Sequence, residues 1–183
     1  GYEVDIFDTT FYETEERTSD EYRIDNLQVK PYDVKKHREI LKPLANMIPD
    51  LREKVESFQP DLIAVSALED TFRLGVALLE GIKDYHIPNV VGGVFPTFAP
   101  EKAMRETVID MICLGEGEGA LLELCDALST GKDHTQIMNL WVRKPDGEIV
   151  RNMLRDTIEL DTLPIPDFSL FDPNRFYKPM KGR

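Results

Sequence analysis

Three observations predict an open α/β fold built on a parallel sheet. First, three short runs read as buried strands: Asp61–Ser66 (DLIAVS), Asn89–Gly93 (NVVGG) and Asp110–Leu114 (DMICL). They are aliphatic and lack polar alternation, as expected of strands covered on both faces. Second, each run is followed by a small or polar loop and then a helical pattern, the order of βαβ units. Third, the loops after the strands carry Ser66-Ala67-Leu68, Gly92-Gly93-Val94 with Thr97, and Gly115-Glu116-Gly117-Glu118-Gly119. In an open α/β sheet these loops share the carboxyl edge, where ligands bind.

At 183 residues with 42% hydrophobic content, the chain suits one domain with a real core and leaves room for a small appendage. Its formal net charge of -12 disfavours nucleic acid and anionic lipid as partners, because phosphate contacts need clustered Lys and Arg. No apolar run approaches the ~20 residues that span a bilayer. The two cysteines, Cys113 and Cys125, lie inside apolar patterns and read as buried free thiols, which points to a reducing, cytoplasmic setting. Gly1 has no Met before it, so the chain reads as a piece of a longer protein.

Taken in order, Tyr2–Phe7 (YEVDIF) alternates apolar and polar residues and reads as an edge or half-buried strand, closed by Asp8-Thr9-Thr10. Residues 13–32 are polar and charged and read as a solvated loop. A helix is expected from Val34 to Lys42, with His37 on a charged face, ending where Pro43 removes an amide donor. A second helix runs from Pro49 to Phe58, with Leu51, Val55 and Phe58 on one stripe. After the first buried strand, Asp70 or Thr71 caps a helix to about Tyr85 that buries Phe72, Val76, Leu79 and Ile82. His86 falls at the amino edge of the next strand, away from any ligand. Pro100 opens a short helix, and Glu118 or Gly119 starts one with Leu121, Cys125 and Leu128 on one side, ended by Gly131. Met138–Arg143 and Glu148–Asn152 flank a Pro-Asp-Gly turn and read as a β-hairpin. The proline-rich stretch Leu163–Asp167 and the residues from there to Arg183 read as an extended linker.

At the carboxyl edge, two consecutive glycines at the end of a buried strand leave two readings open: a ligand lying against the backbone, or a tight turn with close packing. Ser66 ends the neighbouring strand, and a buried hydroxyl there needs a partner in the backbone or in a ligand. Gly115–Gly119 is not a phosphate loop, for it lacks the lysine and the dinucleotide spacing. Glu116 and Glu118 suit amide or hydroxyl donors, or the positive end of the following helix.

These residues carry a resemblance. Ser66-Ala67-Leu68 matches the Ser-x-Leu motif of cobalamin-binding domains, and Gly92-Gly93 matches their Gly-Gly motif. VGGVFPTFAPE, DMICLGEGEGALLEL, DGEIVRN and LDTLPIPDFSLFD, in that order, resemble the N-terminal B12-binding domain of cobalamin-dependent radical S-adenosylmethionine (radical SAM) enzymes and its connector. The resemblance implies a flavodoxin-like, Rossmann-like open parallel sheet with helices on both faces over residues 1–135. A hairpin and linker over residues 136–183 would lead towards a radical SAM barrel of the same polypeptide. It implies a corrin over the carboxyl edge, with its dimethylbenzimidazole tail running past Gly92 and Gly93. The expected cofactor residues are Ser66, Ala67, Leu68, Gly92, Gly93, Val94, Thr97, Gly115, Glu116, Gly117 and Glu118. It implies that the parent acts on a small-molecule substrate with a 4Fe-4S cluster and S-adenosylmethionine. This chain has no Cys-x-x-x-Cys-x-x-Cys to hold either, and no Asp-x-His-x-x-Gly lower-ligand motif. In the family order a first strand and helix are missing, so the exposed sheet edge is expected to recruit a second copy, or the Tyr2–Phe7 strand to shift and pair directly with a neighbour. The alternatives are a module of the same fold for another cofactor such as flavin, and a cofactor-free interaction domain.

Overall fold

The computed structural model describes residues 1–13, 26–27, 42–173 and 175. These residues form two compact units. One comprises residues 1–2 and 55–164, the other residues 3–54 and 165–183.

The first unit holds a five-stranded sheet in the order β1-β2-β3-β4-β5. The strands are β1 (Ile63–Ser66), β2 (Asn89–Gly92), β3 (Met111–Cys113), β4 (Leu140–Arg143) and β5 (Ile149–Arg151). β1, β2 and β3 are parallel neighbours, as the sequence predicts. β4 and β5 then join antiparallel, so the expected hairpin does not hang from a parallel sheet but completes a mixed one. Its turn carries Gly147 at φ 87°, a conformation open to glycine at no steric cost.

The register sorts the core into two faces. Val65, Val91 and Ile112 are paired across β1, β2 and β3 and share one face. Helix α2 (Glu69–Ile82) covers it, bringing Gly75 so near that a Cβ there would lie 3.1 Å from Val65 Cγ1. Ala64, Val90, Met111 and Val142 share the other face. Val90, Met111 and Val142 pack there with Ala120, Leu124 and Ala127 of helix α5 (Glu118–Thr130). Helices therefore lie on both faces.

Two buried helical faces differ from those read in the sequence. On α2, Gly75 is buried and Val76 half-buried, because the helix approaches Val65 so closely that a side chain at 75 would crowd it. On α5, Ala120, Leu124 and Ala127 point inward, while Leu121 is exposed and Cys125 half-buried. The small alanines allow tight seating on the sheet, so the bulkier stripe is turned aside. Gly131 ends α5 at φ 63°, as expected. Thr71 does not cap α2 from outside. The helix begins at Glu69, and the Thr71 hydroxyl accepts from Leu68 N–H at 2.9 Å.

The second unit includes a 3₁₀ turn, Thr9–Phe11, whose Thr10 N–H donates to Asp8 Oδ1. Arg175 bridges Asp8 at 2.5 Å and donates to Thr10 Oγ1 at 2.9 Å. Tyr12 donates to Asp50 at 2.8 Å, and Lys42 pairs with the same carboxylate at 2.6 Å. Burial, then the bond to Asp50, pushes the Tyr12 hydroxyl up to about 12.

Residues 2–7 are not a strand. Tyr2 instead donates its hydroxyl to Asp126, and Ile6 N–H turns onto Asp5 Oδ1 at 2.7 Å. Alternation makes a strand only where a sheet edge accepts it. The loop read over residues 13–32 and the helix over 34–42, with His37, lie almost wholly outside the described residues. Lys42, the last residue of that expected helix, pairs instead in a parallel bridge with Tyr12. The second expected helix is α1, Met47–Phe58, entered through a 3₁₀ turn at Leu44–Asn46.

Candidate functional site

The parallel register brings the sequence-predicted loops together. Ser66 is paired with Gly92 across β1 and β2. A Cβ on Gly92 would meet Cys113 Cβ of β3 at 3.8 Å. Ser66, Gly92 and Cys113 thus form a row at the carboxyl ends of three adjacent strands, on the face covered by α5. They line a cavity of about 230 Å³, walled further by Ala64, Val90, Gly117, Leu121, Leu124 and Leu140. Ser66 is exposed rather than buried. It stands at the end of β1 and lines the cavity. Burial pushes the Cys113 thiol up, keeping it neutral.

The two glycines are not equivalent. Gly93 has φ 99°, and a Cβ there would come within 2.7 Å of Ala67 O. Its missing side chain is needed for the turn and for packing on the Ala67 backbone. Gly92 has an ordinary φ and open space towards the cavity, so its missing side chain leaves room.

A hydrogen-bonded frame holds these loops. Ala67 N–H donates to Gly92 O at 2.9 Å, and Phe95 N–H to Ala67 O at 3.2 Å. Phe95, in helix α3 (Val94–Phe98), stacks on Phe72 of α2 with ring centroids 4.2 Å apart. Thr97 Oγ1 donates to Gly93 O at 2.8 Å and accepts from Gly115 N–H at 3.0 Å. It therefore ties the second loop to the third. Helix α4 (Pro100–Ala103) follows, opened by Pro100 as expected.

The third loop is anchored from the β4 side. Glu116 Oε2 accepts from Ile158 N–H at 2.8 Å, so that carboxylate already has a protein donor. Glu118 is exposed in the first turn of α5. Asn139, 4% exposed and at φ 72°, donates to Glu116 O at 2.7 Å and accepts from Arg155 N–H at 2.6 Å. Sequence reasoning missed Asn139 because it lies in an apolar run that reads as strand. An Asn at a strand start is a common left-handed residue, and that was the available signal. In the loops after β1 and β2, Leu68 and Val94 are 53% and 54% exposed, leaving apolar side chains at the carboxyl edge.

Among the described residues no group of three or more His, Cys, Asp or Glu side chains is placed to hold a metal ion. None of their helices is long and apolar enough to cross a membrane.

Helices on both sheet faces, with a small-residue cavity at the carboxyl ends of parallel strands, define a cofactor-binding α/β module. A family model described as the B12 binding domain matches residues 23–125, more than half of the chain. The chain belongs to the B12-binding domain family. It is 32% identical over 133 residues to an uncharacterised methyltransferase of Pyrococcus horikoshii, covering 69% of this chain and 28% of that protein. It is 29% identical to the anaerobic magnesium-protoporphyrin IX monomethyl ester cyclase of Rubrivivax gelatinosus, covering 73% and 25% respectively. The chain thus spans about a quarter of the length of these relatives. In fold it is similar to the cobalamin-dependent radical enzyme OxsB, with a TM-score of 0.53 and 20% identity, covering 73% of this chain and 21% of that one. It is equally similar to the radical SAM methyltransferase TsrM from Kitasatospora setae, with a TM-score of 0.53 and 23% identity, covering 62% and 23%. It is a B12-binding domain whose fold is similar to that of cobalamin-dependent and radical SAM enzymes of known structure.

Proposed function

We propose that this chain is the corrinoid-holding module of a radical SAM enzyme, with the corrin over the carboxyl edge and its nucleotide tail in the cavity beside Gly92. The observation that carries this reading is the row Ser66–Gly92–Cys113 opening into an apolar cavity of about 230 Å³. Any side chain at Gly92 would project into that space. The small residues and single hydroxyl fit an aromatic tail that needs room and one donor.

In this reading Ser66 donates to the tail. Leu68 and Val94 cover the apolar corrin rim, and Gly115 and Gly117 admit close approach of the backbone. Ala67 and Gly93 form the turn that sets Ser66 against Gly92. Thr97 holds the second loop, and Glu116 the third. Glu118 lies at the rim. The bound corrinoid supplies the cobalt chemistry; the chain's residues bind it, orient it and exclude water from its tail. Residues 136–183 carry the last two strands of the sheet and lead on towards the radical SAM domain. That domain would supply the 4Fe-4S cluster, S-adenosylmethionine and the substrate site of a methyltransferase or cyclase. Among the described residues β1 is an edge strand of the sheet, and edge strands are where a second copy can pair.

Hydroxocobalamin and FMN, each added separately and followed by desalting, test the reading. Retained corrinoid absorbance with no retained flavin is expected. Retention of flavin alone, or of neither, would overturn it.

A further inference from the structure

The lining of the cavity bears on which tail it accepts. Apolar cavities of ~150 Å³ admit one benzene ring, so the 230 Å³ here has room for a fused second ring. Its walls are aliphatic side chains, glycines, one hydroxyl and one thiol. Four of the backbone groups at its mouth already hold a partner. Gly92 O takes Ala67 N–H, and Gly117 O takes Leu121 N–H at 2.7 Å. Gly93 O and Gly115 N–H are both bonded to Thr97 Oγ1. Among the lining side chains, Ser66 Oγ is the strong hydrogen-bonding group, with the Cys113 thiol a weak second.

Corrinoids differ in the base at the end of the tail. Benzimidazole types carry hydrocarbon on their six-membered ring. Purine types such as adenine carry an exocyclic amine and two ring nitrogens in the same place. Phenolic types carry no ring nitrogen at all. Resting on the reading above, we infer that this cavity selects benzimidazole and phenolic corrinoids against purine ones. An adenine inserted beside Gly92 would set its polar groups against the aliphatic side chains of Val90, Leu124 and Leu140. Each buried polar group left unpaired costs roughly tenfold or more in affinity. Ser66 is the one side chain of the lining that bonds such groups strongly.

The test is titration of the 183-residue chain with cobalamin, its adeninyl analogue and its cresolyl analogue, each followed by visible absorbance and calorimetry. Adeninyl binding is expected to be about ten- to hundredfold weaker than cobalamin binding. The cresolyl analogue should stay within about tenfold of cobalamin, the worth of one lost hydrogen bond. Ala64→Ser adds a hydroxyl to the cavity wall with little change in volume, and it should narrow the gap between adeninyl and cobalamin. Equal affinities for cobalamin and the adeninyl analogue would overturn the selectivity and leave the corrinoid reading standing. So would an adeninyl preference, or a gap that Ala64→Ser leaves unmoved. Failure of all three to bind would overturn both.

Discussion

At the amino edge of the sheet polar groups are plentiful and paired, whereas at the carboxyl edge they are few and space is left beside them. The amino-edge groove is the larger, about 640 Å³, and is lined by Asn89, Asp110, Arg143, His86 and His134 among others. Asn89, Asp110 and Arg143 among them hold the fold together. Asp110 Oδ2 accepts from Asn89 N–H at 3.0 Å and from Asn89 Nδ2 at 2.7 Å. Arg143 donates to the carbonyls of Ile109, Met104 and Glu106. The carboxyl-edge cavity is about a third of that volume, yet small residues at three successive strand ends converge on it. Size alone would choose the wrong end of the sheet. The chemistry left unused separates structure from site.

The sharpest way to break this comparison is to substitute the paired glycines, which it treats as different. Gly93→Val should lose roughly 2–4 kcal/mol of stability by chemical denaturation, because its left-handed φ and the Ala67 contact both forbid a side chain. Gly92→Val should stay within about 1 kcal/mol of the parent chain. Equal losses would mean that both glycines serve the turn.

Next comes the frame. Asn139→Ala removes both side-chain bonds of a buried left-handed residue and should cost roughly 2–3 kcal/mol. Hydrogen exchange at Gly115–Gly117 should quicken in the same variant. Thr97→Val, which cuts the tie between Gly93 and Gly115, should cost about 1 kcal/mol.

At the amino edge the test is pH. Burial raises the Asp110 carboxyl above its ordinary 3.8 despite the bonds from Asn89. A carboxyl raised in the folded state binds protons more tightly there than in the unfolded chain. Its contribution is therefore full below 3.8 and is lost as pH rises through the raised value. Asp110→Asn lacks this loss, so its melting temperature relative to the parent should climb with pH across that window and then level. A difference that is flat with pH would contradict the assignment. The smallest effect belongs to the exposed Arg155–Glu123 pair. Glu123→Ala should cost only ~0.5 kcal/mol, less at high salt.

Much of this was legible in the sequence, for reasons that particular residues show. The three buried strands announce themselves because aliphatic runs such as Ile63–Val65 and Met111–Cys113 have no polar alternation to confuse the period. The loops at their ends follow once the strands are parallel. Tyr2–Phe7 misleads because its alternation is local, whereas pairing depends on an edge elsewhere. The helical faces of α2 and α5 mislead because Gly75 and Ala120 are buried for closeness of approach, not hydrophobicity. The different duties of Gly92 and Gly93 are written in φ and in the position of Ala67 O, neither of which a residue name carries. Asn139 is hidden for the same reason.

The central claim is that the room beside Gly92 belongs to a bound corrinoid tail. It is tested most directly by measuring cobalamin retained after desalting for the parent chain and for Gly92→Val, with melting temperatures taken on the same samples. The account predicts that the variant folds as well as the parent and loses retained corrinoid. Equal retention by two equally stable proteins would contradict it.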